Sequence, residues 1–159
     1  MHVEIEEIKN KDIEQAYQFC IGIWDELGWD KSFSYELENL KEFFSGPREV
    51  FLLAKQEEII GCAGLKNLSE QEGLLKRFYV VKDFRGKGLA LLLLKNIKEF
   101  AKKQDYKVIV LDVFKDNFRA KRFFEKHGFK SFNPQPSKNW IESERPDIFE
   151  FRKLKLNNK

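Results

Sequence analysis

An apolar stretch, Leu74 to Val81, runs into the basic glycine turn Arg85-Gly86-Lys87-Gly88-Leu89-Ala90, then into a helix-like stretch, Leu89 to Lys103, and a second apolar run, Val108 to Val113. The second run is short and almost continuously apolar, the pattern of a strand buried on both faces. Strand, helix and strand in that order imply a parallel crossover. The turn then lies at the carboxyl end of a strand, where open α/β sheets bind ligands. Its two glycines let the backbone approach an anion, and the following helix start offers N–H donors and the positive end of a dipole. Arg85 and Lys87 add charge of the matching sign. Such a turn also serves simple chain reversal, so the hexapeptide alone does not decide for phosphate. Two familiar phosphate loops are excluded. Leu91 stands where a dinucleotide fingerprint needs its third glycine, and no Gly-Lys-Ser/Thr run exists.

Around this unit, Val3, Ile5 and Ile8 predict a first strand, and Ile13, Ala16, Tyr17, Cys20 and Trp24 fall at helical spacing. Tyr35 to Phe44 predicts a second helix, stopped by Ser45-Gly46-Pro47. Val50 to Ala54 and Ile59 to Leu65 predict two antiparallel strands, and Leu74 to Val81 continues the meander. Asn117 to Lys126 predicts a helix ended by Gly128, Phe129 to Phe132 a strand, and Ile148 to Leu156 a last strand after the polar connection Asn133 to Pro146. A chain of 159 residues that is 42% hydrophobic fits a single domain over residues 1–159. Cys20 and Cys62 lack metal-ligand spacing and read as buried free thiols, with no metal expected. A net charge of +3, from 29 basic and 26 acidic residues well mixed along the chain, argues against a nucleic-acid partner. The apolar run Leu89 to Leu94 is far short of the roughly 20 residues of a membrane span, and the acidic Met1 to Lys11 does not read as a signal peptide. A cytoplasmic protein without a membrane partner is the expectation.

Two separated motifs, in this element order, resemble the GNAT superfamily of N-acetyltransferases. Arg85-x-x-Gly88-x-Ala90 resembles the family's Arg/Gln-x-x-Gly-x-Gly/Ala signature, preceded by Phe78-Tyr79-Val80, and Asn117-x-x-Ala120-x-x-Phe123-Phe124-x-x-x-Gly128-Phe129 resembles its second signature. The resemblance covers nearly the whole chain. It implies an α/β fold with a mixed central sheet, splayed between strands 4 and 5 and flanked by helices on both faces, and acetyl-CoA as co-substrate in the split. It further implies that backbone groups of Phe78, Tyr79 and Val80 pair with the pantetheine arm. The turn of Arg85, Gly86, Lys87, Gly88, Leu89 and Ala90 would hold the pyrophosphate. Asn117 matches a position that often touches the cofactor, while asparagine at a helix start is also simply a favourable N-cap. Homodimers are frequent in the family, so a second copy joins the expected partners.

The catalytic pattern departs from the family at two places. Phe124 stands where members commonly carry a tyrosine that protonates the departing thiolate, and Leu74 where some carry a glutamate that removes the amine's proton. A thiol of reference pKa near 8.5 leaves tolerably as its anion, so the missing acid is survivable. An alkylamine of reference pKa about 10.4 must still lose a proton, so a replacement base is expected. Strand alternation puts Glu72, Leu74, Lys76, Phe78 and Val80 on one face, which makes Glu72 one candidate. Glu26 and Asp30, beside Trp29 and Phe33, are rivals. A backbone N–H near Val80 is the candidate oxyanion donor. The acceptor wall is expected in Trp29, Asp30, Phe33 and Trp140, and the acidic Asp30, Glu142 and Glu144 suit a cationic acceptor. These readings point to an N-acetyltransferase acting on an amine-bearing small molecule or peptide by direct attack in a ternary complex. The alternative is an acyl-CoA-binding sensor that has lost transfer.

Overall fold

In the computed structural model, which describes residues 2–29 and 31–157, strand β1 (Glu4–Glu7) leads into helix α1 (Ile13–Leu27). The short α2 (Leu40–Phe43) follows, then the meander β2 (Val50–Gln56), β3 (Glu58–Asn67) and β4 (Glu72–Val80). The crossover helix α3 (Leu89–Lys103) leads to β5 (Val108–Phe114), and α4 (Phe118–Lys126), β6 (Lys130–Ser131) and β7 (Phe149–Lys155) complete the order. The strands form one mixed sheet in the order β1-β2-β3-β4-β5-β7-β6, in which only β4 and β5 run parallel.

Each sheet face carries its own core. Leu89, Leu93, Leu94, Ile97 and Ala101 of α3 pack with Phe124 of α4 against Leu75, Ile109 and Leu111. On the opposite face Ala16, Cys20 and Trp24 of α1 pack with Leu40 of α2 against Leu53, Leu74 and Val110. Helices thus cover both faces, as the apolar α3 and β5 patterns demand. The expected second helix is largely replaced by a 3-10 turn, Leu37–Asn39, and α2 starts only where the Asn39 side chain accepts the Glu42 N–H at 3.3 Å.

The sheet opens between β4 and β5. They pair only from Glu72 with Val108 to Leu75 with Leu111, whereas β4 stays on β3 as far as Val80 and β5 stays on β7 as far as Phe114. A bulge drives the separation. The β3–β4 register shifts between Cys62 and Gly64, opposite Arg77, whose φ of 54° is left-handed. A non-glycine residue there carries roughly 1–2 kcal/mol of strain, so its surroundings must hold it.

The bulge also corrects the expected alternation. Leu74, Lys76, Arg77 and Tyr79 face α1, while Phe78 and Val80 join Leu75 on the α3 face. A sequence pattern of period two cannot reveal this, because the extra residue resets the parity of everything after it.

Candidate active site

The split forms a cleft of about 620 Å³, counted out to its open mouth. Its α4 side is lined by Phe78, Asn117, Ala120 and Phe124, and its α1 side by Trp24, Trp29, Phe33, Lys76, Arg77, Tyr79, Asp112, Phe114, Glu142 and Phe149. The cleft therefore takes its walls from both faces of the sheet.

At the end of β4 the chain makes a 3-10 turn, Lys82–Phe84, and enters the glycine turn. Gly86 and Gly88 sit at φ +77° and +87°, with nothing within 4 Å of where a Cβ would stand. Glycine is needed there for its backbone angle, not for space. Gly88 is the N-cap of α3 and brings no side-chain cap, and the first intrahelical bond runs from the Leu92 N–H to the Gly88 carbonyl at 3.1 Å. The N–H groups of Leu89, Ala90 and Leu91 precede that bond, which makes the turn suited to an anion. The Val81 N–H donates to the Ile60 carbonyl on the β3 side at 2.9 Å, so alternation turns the peptide groups of Val80 and Phe78 to the edge that β5 has left. That exposed backbone edge, continuous with the turn, fits an extended amide-bearing arm followed by a phosphate.

Arg85 does something other than reach into the anion site. Its guanidinium donates to both oxygens of Glu26, at 2.6 and 3.1 Å, and its Nε donates to the Val80 carbonyl at 2.9 Å. It ties the end of α1 to the end of β4, and the exposed Lys87 is the cation of the turn whose side chain faces solvent. The hydrogen bond from Arg85 also holds the Glu26 carboxyl below its usual range, which makes Glu26 a poor base. Glu72 is no better placed. It bonds Ser69 at 2.9 Å in the closed part of the sheet, about 20 Å along the strand from Phe78 at 3.3 Å per residue. Asp30 lies outside the described residues. Leu74 is buried under α1, and Phe124 packs on Phe78, Phe123 and Phe129 with ring centroids 5.2–5.6 Å apart. Asn117 accepts the Ala120 N–H at 3.3 Å, so it is an N-cap that also lines the cleft.

On the α1 side the helix ends at Gly28, whose φ of +67° reverses the chain, and the Trp29 N–H returns to the Trp24 carbonyl at 3.2 Å. This fold-back sets Trp29 edge-on to Trp24 at 5.4 Å and tilted over Phe114 at 5.0 Å. Phe33 and Phe149 close the group at 5.0 Å from each other. Trp29 and Phe33 thus line the cleft. Trp140 does not; it is buried behind it, where its indole N–H donates to Asp112 Oδ2 at 2.8 Å.

A buried charge network, largely missed in the sequence, forms the floor. Arg77 makes a bidentate pair with Glu36, donates to the Phe33 carbonyl at 2.6 Å and to the Tyr79 hydroxyl at 3.4 Å. These bonds hold the strained bulge. Lys76 donates to the Tyr35 hydroxyl at 2.8 Å and pairs with Glu142 at 3.3 Å, and Tyr35 also donates to Glu142. Trp24 donates to the Tyr79 hydroxyl at 2.8 Å, and burial pushes the Tyr79 pKa up, so that phenol stays protonated. Two adjacent cations inside an apolar strand, Lys76 and Arg77, and the acidic Glu142 are its traces in the sequence.

The profile of the acetyltransferase (GNAT) family matches residues 12–129, about three quarters of the chain. The chain belongs to the GNAT family of acetyltransferases. An uncharacterized N-acetyltransferase of Schizosaccharomyces pombe is 30% identical over 115 residues, 69% of this chain and 71% of that protein. A GNAT-family acetyltransferase from Staphylococcus aureus has the same fold, with a TM-score of 0.82 at 22% identity over 98% of this chain and 100% of the other. So does a PaiA N-acetyltransferase from Thermoplasma acidophilum in complex with coenzyme A, with a TM-score of 0.74 at 20% identity over 98% and 99% of the two chains. In this GNAT protein the two recognised signatures line the α4 side of the cleft and the turn beside it. Among the described residues no helix is long and apolar enough to cross a membrane.

Proposed function

We propose that this GNAT protein moves an acetyl group from acetyl-CoA to a primary amine by direct attack within a ternary complex. The observation that carries this reading is the opening of the sheet beside an uncapped helix start, with residues of both sheet faces lining the gap. The peptide groups of Phe78, on the vacated β4 edge, bind the co-substrate arm, with the backbone of Gly86 to Ala90 and the side chain of Lys87 at its phosphates. When bound, the co-substrate supplies a thioester whose carbonyl carbon accepts the amine nitrogen and whose sulfur departs with the electron pair. The Val80 N–H is the donor for the thioester oxygen, an electrostatic contribution that needs no side chain.

Both cysteines are fully buried, and burial together with the Cys20 neighbour raises the Cys62 pKa. A covalent route through either thiol is therefore disfavoured. The Phe124 ring leaves the thiolate without the usual phenol, which favours a second reading, an acyl-CoA-binding protein that does not transfer. A thiol-release screen over small amines, polyamines and peptide amines, run beside Phe124→Tyr, separates the two. Transfer predicts CoA release by the unmodified protein with at least one amine class. Tight CoA binding without release in any class supports the second.

A further inference from the structure

Five charged side chains meet around the α1 half of the cleft, and four of them are paired. Glu36 is held by Arg77, and Glu142 by Lys76 and Tyr35. Asp112 has no cation in contact among the described residues. Its Oδ2 accepts the Trp140 indole N–H, while its Oδ1 has no hydrogen-bond partner among the described residues and is not sealed from the cleft it lines. A carboxylate at such a depth without a counter-ion is costly, and a cationic ligand would relieve it. The same cleft is lined by Trp29, Phe33, Phe114 and Phe149, aromatic rings that favour an ammonium and an apolar body attached to it.

We propose that Asp112 binds the ammonium of the acceptor and takes its proton, and that the acceptor is a compact primary amine with an apolar or aromatic body. This rests on the transfer reading given above. In the step, Asp112 Oδ1 accepts one proton from the ammonium and passes it to water. The freed nitrogen pair forms the N–C bond to the acetyl carbon, the C–S bond breaks with its pair on sulfur, and the second amine proton ends on that thiolate. Burial, then the negative Glu142, raises the Asp112 pKa to about 6, against the opposing pull of Lys76, the Trp140 bond and Arg77, with the neutral Tyr35 hydroxyl on the same floor. Asp112 is thus still ionised at neutral pH and a stronger base than an ordinary carboxylate.

The test compares wild type with Asp112→Asn, which keeps the acceptor for Trp140 and removes the charge. Binding of 2-phenylethylamine and of the uncharged 2-phenylethanol is followed by tryptophan fluorescence, and CoA release is measured separately. Wild type should bind the amine roughly ten- to a hundredfold more tightly than Asp112→Asn does, as expected for a charge-assisted hydrogen bond, with the alcohol unaffected. Turnover of the amine should fall about a hundredfold or more, while CoA binding stays unchanged. Equal amine affinity in the two proteins overturns the proposal. Amine binding that depends on Asp112, without CoA release from wild type, upholds the ammonium site and removes the transfer reading instead.

Discussion

The two halves of the cleft are built on opposite principles. The α4 half is largely apolar, with Phe78, Ala120 and Phe124 beside Asn117, and the turn next to it is a contiguous hexapeptide whose glycine angles and bare helix start supply the donors. The α1 half is charged and assembled at long range, with Arg77 reaching Glu36 across 41 residues and Lys76 reaching Glu142 across 66. A half made of backbone can keep binding one invariant molecule while side chains change. A half made of interlocked side chains changes its ligand whenever one partner changes. On the proposed reading, the co-substrate side rests on backbone geometry and the acceptor side on a specific set of side chains.

The largest effect should come from breaking the long-range half. Glu36→Ala leaves Arg77 buried, unpaired and at a strained φ, and should lower unfolding stability by about 3–5 kcal/mol in urea titration. A loss under about 1 kcal/mol, the range of surface pairs, would mean that the network does not hold the bulge. Next, Gly88→Val forces a branched side chain into φ +87° and should weaken CoA binding by about tenfold, from roughly 1–2 kcal/mol of backbone strain, without touching amine binding. Amine affinity lost together with CoA affinity would show that the halves are not independent.

A pH profile sharpens the comparison further. The raised Asp112 pKa means that the carboxylate protonates as pH falls through about 6. Amine-dependent turnover should drop below that point by about tenfold per pH unit, while CoA binding should not follow. The inflection should vanish in Asp112→Asn. The smallest change is expected from Phe124→Tyr, at most about tenfold in turnover, because a thiolate of reference pKa near 8.5 leaves well without an acid.

The same contrast explains what could be read from the sequence. The crossover, the glycine turn, the Asn117 cap and the apolar faces of α1 and α3 are short-range patterns, and all are present in the structure. Alternation places Glu72 beside Leu74 without showing that both lie in the closed part of the sheet, and nothing local shows that Glu26 is held by Arg85. The bulge at Arg77 and the Arg85–Glu26 pair are both products of tertiary packing. Trp140 looked like an acceptor-wall residue and instead positions Asp112 from behind. Asp112 itself left one trace, a lone carboxylate inside the apolar run Val108 to Val113, and a run read as a buried strand hides the one residue in it that is not apolar.

On the proposed reading, the cleft brings acetyl-CoA and amine together for direct transfer. Initial rates with acetyl-CoA and amine varied together, beside the intact mass of the protein after acetyl-CoA alone, test it most directly. Direct transfer predicts intersecting double-reciprocal lines and an unchanged mass. Parallel lines with a mass gain of one acetyl group would contradict it.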